Sequence, residues 1–221
     1  MNMNDADKSS LQTAQQVKNI HHQWLIASIV IAVLLIADQA LKCWVKLTFS
    51  LGESVEITPW FLICFVENNG MAFGIEWFDK LFLTLFRILA VGLLFWYISR
   101  LIKHGVSIGY LVIISLLTAG AIGNIIDCMF YGLIFSSSTP WEAAQIVPWG
   151  EGYAPFLYGR VVDMFYFPLI HNSAGEVIFF QPVFNLADSA ITVAVALLII
   201  VPSWRKTLND SLSKEESKKD K

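Results

Sequence analysis

Four apolar runs, each near or above the roughly 20 residues that a helix needs to cross a bilayer, restrict this chain to few architectures. They cover about residues 24–44, 81–99, 108–131 and 184–202. Only 15% of the 221 residues are charged and 56% are hydrophobic, whereas soluble domains carry about a quarter charged residues. Such a chain folds as an integral membrane bundle, and its length suits one compact domain. A polar tail at 1–23 precedes the first run and a charged tail at 203–221 follows the last. Neither holds an apolar core. The first 20 residues therefore read as disordered chain rather than a signal peptide.

Basic residues set the orientation. Lys8 and Lys18 precede the first run, Arg100 and Lys103 lie between the second and third, and Arg205, Lys206 and four more lysines follow the fourth. Four spans put these groups on one side, which the positive-inside rule makes the cytoplasm, with both termini there. The connections 45–80 and 132–183 are then extracytoplasmic, and they are rich in acids. The first alternates at Val55–Ile57 and Phe61–Val66 between Gly52, Pro59 and Gly70, which predicts a small strand-rich lobe. The second is long for a loop, and long loops are commonly functional.

Several chemistries are excluded. No basic stripe with interleaved aromatics is present, so nucleic acid is not an expected partner. The four histidines form no zinc-binding frame. Cys43, Cys64 and Cys128 are widely spaced and make neither a C-x-x-C motif nor a complete disulfide set. No metal site is expected.

What stands out is carboxylates and amides in apolar surroundings, where they are costly. Asp38 and Lys42 are one helical turn apart, within reach of a salt bridge. Gly120 and Gly123 suit close helix contact, and Asn124 and Asp127 follow on one face. Asp163 stands in the long connection. Asn185 and Asp188 open the fourth run, where Asn185 suits a helix N-cap and Asp188 the positive first turn. Each feature alone has a structural explanation. Together Asp38, Asp127, Asp163 and Asp188 fall at one predicted membrane level, with Asn68, Asn124 and Asn185 near it, and such convergence marks a site. Paired carboxylates can share a proton, activate water and polarise a carbonyl. Peptide hydrolysis and a proton or cation path both fit these residues.

Five segments in order resemble the lipoprotein signal peptidases, the type II signal peptidase family. Asp38-Gln39-Ala40-Leu41-Lys42 resembles a D-Q-x-[ST]-K block, with Leu41 at the hydroxyl position. Asn68-Asn69-Gly70-Met71-Ala72-Phe73-Gly74 resembles N-x-G-A-A-F, with Met71 for the first alanine. The segment Ala119 to Asp127 resembles G-G-A-x-G-N-x-x-D-R. Gly159 to Met164 resembles G-x-V-V-D-F, and Phe184 to Ile191 resembles F-N-x-A-D-x-x-I. The match spans residues 24–202.

The resemblance implies an aspartic protease of the bacterial cytoplasmic (inner) membrane that uses no metal or organic cofactor. Its fold would be an all-α integral membrane protein, a four-transmembrane-helix bundle with a small extracytoplasmic β-cradle and a long extracytoplasmic loop. Asp163 and Asp188 match the catalytic pair. Asp38, Lys42, Asn68, Gly120, Gly123, Asn124, Asp127 and Asn185 match positions that shape or support the site, Asp127 as a structural partner. The implied partners are membrane lipid and a diacylglyceryl-modified prolipoprotein, cut just before its lipidated cysteine.

Two departures stand out. Cys128 occupies the position of the family's arginine, with Arg160 a candidate to replace that charge in space. The stretch between Asp127 and Gly159 is much longer than the family's link. Its Trp141, Trp149, Tyr153, Phe156 and Tyr158 are expected to form an aromatic flap at headgroup level. Two other functions are carried beside the protease. A proton-coupled transporter would spread its acids across the membrane depth. A scaffold would use the polar groups only as helix glue.

Overall fold

The computed structural model describes residues 5–69, 80–171, 177–179 and 181–200. Helix α1 spans Asp5–Thr48. No glycine or proline occurs before Gly52, so nothing interrupts the helix once it has nucleated. The polar stretch from Asp5 is therefore helical, contrary to the disordered tail expected above. Helix α2 covers Lys80–Lys103 and α3 covers Ile108–Ile126. Between them Gly105 adopts φ +65°. Its N–H reaches the Ile102 carbonyl and the Val106 N–H reaches that of Leu101, the bonding of a glycine-terminated helix end.

Beyond Ile126 the helix widens into a π turn, Asp127–Tyr131, and then a short helix α4, Gly132–Ile134. Wide turns of this kind recur at functional sites. Helix α5 covers Leu186–Ile200. Gln15–Thr48, Lys80–Lys103 and Ile108–Ile134 are long and apolar enough to cross a membrane; α5 is a further, shorter apolar helix. Residues 201–221, including the end of the expected fourth span and the C-terminal tail, lie outside the described residues.

Helix α3 is central and packs against α1, α2 and α5. Large apolar side chains of the flanking helices point outward, among them Val33 and Ile36 of α1 and Leu89, Leu93 and Trp96 of α2. Lipid is the solvent that suits such a surface. One core, around Ala27, Ile98, Leu101, Tyr110 and Leu111, lies at the end near the α2–α3 turn. A second, around Val45, Phe49, Phe65, Tyr131, Phe135, Val162 and Met164, joins the opposite end to a small sheet.

That sheet has strands β1 (Ser54–Thr58), β2 (Phe61–Asn68) and β3 (Val161–Tyr166) in the order β1-β2-β3, all antiparallel. The first two match the strand-rich lobe expected from residue alternation. The third comes from the second connection, and a two-stranded ribbon, β4 (Ile170–His171) and β5 (Val177–Phe179), follows it.

The long segment before β3, about residues 136–160, which carries the aromatics expected to form a flap, is bonded as a strap across the helix ends. Its N–H groups bond carbonyls of Ile134, Leu133 and Gly132, and that of Ala144 bonds Lys46 on α1. Thr84 of α2 donates to the Leu157 carbonyl at 3.2 Å. The carbonyls freed at the π turn are used as well, since the Gly159 N–H reaches Cys128 O at 2.8 Å.

Candidate active site at one end of the bundle

Close helix contact builds the floor of the site. A Cβ added at Gly120 would stand 2.4 Å from the Ala187 carbonyl oxygen, and one at Gly123 would stand 2.7 Å from Asp38 Oδ2. Only glycine lets α1, α3 and α5 meet here, as the small-residue rule predicts. The same contact places Asp38 at the start of α5, where its Oδ1 accepts the Ala187 N–H at 2.9 Å. A carboxylate there complements the helix dipole.

Lys42 is fully buried. Its Nζ lies 3.0 Å from Asp38 Oδ2 and 2.8 Å from Asp127 Oδ2, and 2.9 Å from Asn124 Oδ1. An ammonium has three protons, and here three acceptors meet it. Asp127 is also fully buried; its Oδ1 accepts from Gln39 Nε2 at 2.9 Å. Its Oδ2 accepts the Val162 N–H at 3.3 Å, which ties the π turn to β3 one residue before Asp163. Asp38, Lys42 and Asp127 thus form one braced cluster under the strand.

Asp163 stands above that cluster with only 2% of its surface exposed. Asn185 Nδ2 donates to its Oδ1 at 2.7 Å and Asn68 Nδ2 to its Oδ2 at 3.2 Å. Asn185 Nδ2 is also 3.1 Å from Asn124 Oδ1. Asn124 in turn donates from Nδ2 to Asp188 Oδ1 at 2.7 Å. The N-cap reading of Asn185 holds: its Oδ1 accepts the Asp188 N–H at 2.9 Å, and Asp188 Oδ2 faces the Asn185 N–H at 3.4 Å. This reciprocal box fixes the Asp188 carboxylate. Asp188 itself is half-buried, so the two acids differ in environment.

Burial, followed by the charge of Asp188, pushes the Asp163 carboxyl up to about 7; the donors Asn68 and Asn185 act the other way and do not offset it. A buried acid of this kind holds a proton near neutrality beside a second carboxylate, the pairing that general acid–base chemistry needs.

The family described as signal peptidase (SPase) II matches residues 30–203. The chain belongs to this family. It is 48% identical to the lipoprotein signal peptidase of Porphyromonas gingivalis over 188 residues, covering 80% of this chain and 83% of that one. It is 36% identical to the lipoprotein signal peptidase of Amoebophilus asiaticus over 180 residues, covering 75% and 72%. A bacterial membrane enzyme solved by the in meso method at 2.3 Å superposes with a TM-score of 0.54 at 26% identity, covering 79% of this chain and 85% of that one. This signal peptidase II therefore has a membrane-enzyme fold of three long apolar helices, a further apolar helix and a small sheet.

All ten residues singled out from the sequence gather at this end of the bundle. Within the second motif block, Gly70–Gly74 lie outside the described residues. Arg160 does not stand in for the arginine absent at 128, because it pairs with Glu67 at 2.8 Å. Arg87 of α2 lies 3.6 Å from Cys128 Sγ. Gln39, quoted above only as a motif letter, and Lys46, Glu67 and Ser138, which the sequence does not single out, also make polar contacts at this end. Lys46 carried a signal: it lies one turn beyond Lys42 on the face that already held Asp38. Glu67 had no such signal, because its partners come from α1 and from either end of the strap.

Proposed function

We propose that this signal peptidase II is an aspartic endopeptidase acting on diacylglyceryl-modified prolipoproteins, with Asp163 and Asp188 as its catalytic pair. The observation that carries the reading is the amide chain between them. Asp163 on β3 and Asp188 on α5 are bridged through Asn185 and Asn124, although 25 positions apart in sequence. In this reading four helices cross the bacterial inner membrane with both termini cytoplasmic. The small sheet cradles the substrate at the extracytoplasmic face, where interfacial water meets a signal peptide still held in lipid.

Water attacks the scissile carbonyl carbon while Asp188 takes one of its protons. Asp163, protonated at the outset, gives its proton to the carbonyl oxygen and so neutralises the developing oxyanion. The tetrahedral diol collapses as Asp188 returns its proton to the amine of the departing lipidated cysteine. Asp163 recovers a proton from the diol hydroxyl. The C–N bond breaks, and the signal peptide leaves with a new carboxyl terminus. Asn68 and Asn185 hold Asp163 in place, and Asn124 orients Asp188.

The transporter reading required acids spread through the membrane depth. Asp38, Asp127, Asp163 and Asp188 instead belong to one hydrogen-bonded neighbourhood, which favours hydrolysis. The deciding assay uses purified protein in detergent or lipid with a lipid-modified prolipoprotein, followed by gel. Wild type should release signal peptide, and folded Asp163→Asn and Asp188→Asn should not. Cleavage that survives either substitution would remove the pair from the chemistry.

A further inference from the structure

Behind the strands that present Asp163 lies a second ion cluster, which the proposed chemistry does not use. Glu67 on β2 is 2% exposed and Lys46 on α1 is fully buried. The two form an ion pair. Glu67 Oε1 also accepts from Ser138 Oγ at 3.1 Å, and Oε2 accepts from Arg160 Nη1 at 2.8 Å. Lys46 Nζ reaches Ser138 Oγ at 3.0 Å and lies 4.8 Å from the Tyr153 ring centroid. Arg160 covers the same ring at 5.2 Å. Burial acts against the Glu67 charge, but Lys46 and Arg160 outweigh it and hold the carboxyl below its ordinary range.

Ser138 stands near the beginning of the strap and Arg160 at its end. Glu67 therefore gathers both ends of the strap and the last turn of α1 onto one carboxylate. Its position in the sheet gives this consequence. β2 and β3 pair Val66 with Asp163, Glu67 with Val162 and Asn68 with Val161. Side chains alternate between faces. Asn68 and Asp163 share the site face, while Glu67 points to the face packed on α1 and the strap. The register breaks between Ile63 and Val66, so the pairing at Leu62 and Ile63 does not dictate the pairing at Asp163. A one-residue slip past that irregularity would turn Asn68 away from Asp163. The Glu67 ion cluster sits just beyond the break, where a lock is needed.

We infer that Glu67 is a positioning residue: clamped by Lys46 and Arg160, it fixes the β2–β3 register that presents Asn68 to Asp163, and makes the strap part of the active-site scaffold. This rests on the reading of Asp163 and Asp188 as the catalytic pair. Glu67 itself touches no reacting atom.

The test compares wild type, Glu67→Gln, Lys46→Met/Glu67→Gln, Arg160→Gln and Asp163→Asn on a lipid-modified prolipoprotein, with thermal melting in detergent as the folding control. The double variant removes both buried charges and so avoids stranding one of them. It should melt near wild type yet lose about ten- to a hundredfold in kcat, the size expected for small misplacements. KM should stay within about twofold, and the alkaline limb of the pH–rate profile should move as Asn68 leaves Asp163. Arg160→Gln changes a part-exposed partner and keeps the buried pair, so it should fold even if the double variant does not. It should lose at least about threefold in kcat. A folded variant of either kind with wild-type kcat and an unmoved alkaline limb overturns the inference. Asp163→Asn separates the two claims. If it still cuts, the catalytic pair falls and this inference with it; if it is inactive beside wild-type-like clamp variants, only the role of Glu67 falls.

Discussion

Asn185 Nδ2 lies 2.7 Å from Asp163 Oδ1, so the residue that caps α5 also holds the carboxylate of β3. Fold and site share one side chain here, and substitutions can separate the two roles. Asn185→Ala removes both. It should cost about 1 kcal/mol in stability, the usual loss for a cap, and lower kcat by roughly a hundredfold through misplacement of Asp163. Asn185→Ser keeps an oxygen to accept the Asp188 N–H, as serine does at helix N-caps, but is too short to donate to Asp163. It should retain more of the melting temperature than alanine does while remaining as inactive. Equal activity of Asn185→Ser and wild type would show that the donated hydrogen bond has no role.

In the proposed mechanism Asp163 sets the pH dependence. Its carboxyl is raised to about 7, first by burial and then by the Asp188 charge. The sign follows directly. A carboxyl raised in the fold holds its proton more tightly there than in the unfolded chain, so its contribution to stability is complete below the ordinary carboxylate range. That contribution is lost as pH rises through about 7. In the proposed mechanism Asp163 also needs that proton, so kcat should decline above about pH 7, reported as an apparent value of the pair with Asp188. Asn68→Ala removes a donor that favours the ionised form and should move the alkaline limb upward. A limb that stays in place, or moves down, would contradict this account of Asp163.

Lys42 is the structural counterpart. It neutralises Asp38 and Asp127 at 3.0 and 2.8 Å while all three side chains are buried. Lys42→Met leaves two carboxylates facing each other without a cation. Removing one partner from a buried ion cluster costs about 3–5 kcal/mol, so this variant should melt far below wild type at neutral pH. Acidification should recover part of the loss by protonating a carboxylate. A melting temperature within a degree or two of wild type would mean that water or lipid already solvates the cluster.

The contrast between these residues explains what could be read from the chain alone. Asp38 and Lys42 lie one helical turn apart, and Asn185 and Asp188 fit a cap, so local periodicity exposes both pairs. The α1, α2 and α3 cores were visible as apolar runs for the same reason. Glu67 pairs with Lys46 across 21 positions and with Arg160 across 93. No helical or strand period links such residues, and a glutamate in an acidic connection reads as solvated. The helical run before residue 20 is masked by its polarity, which matches that of disordered chain. Absence of glycine and proline from Asp5 to Thr48 was the better guide, since a helix already nucleated by its apolar half extends at little cost. The strap's aromatics are visible in the sequence, whereas its backbone bonding is not.

That bonding leaves the strap's aromatic edge in a fixed place. Phe130, in the π turn, lies 6.2 Å from the Trp149 ring and 6.0 Å from the Phe156 ring. Trp149 is nevertheless 68% exposed. Tryptophan favours the headgroup layer, where its ring meets lipid and its N–H meets water. Trp149 should therefore lie in the interface as a static anchor. In vesicles containing brominated lipid, the emission difference between wild type and Trp149→Phe should be strongly quenched, and equally so with and without a substrate peptide. Unquenched, red-shifted emission would place Trp149 in water, and quenching that appears only with substrate would restore a closing flap.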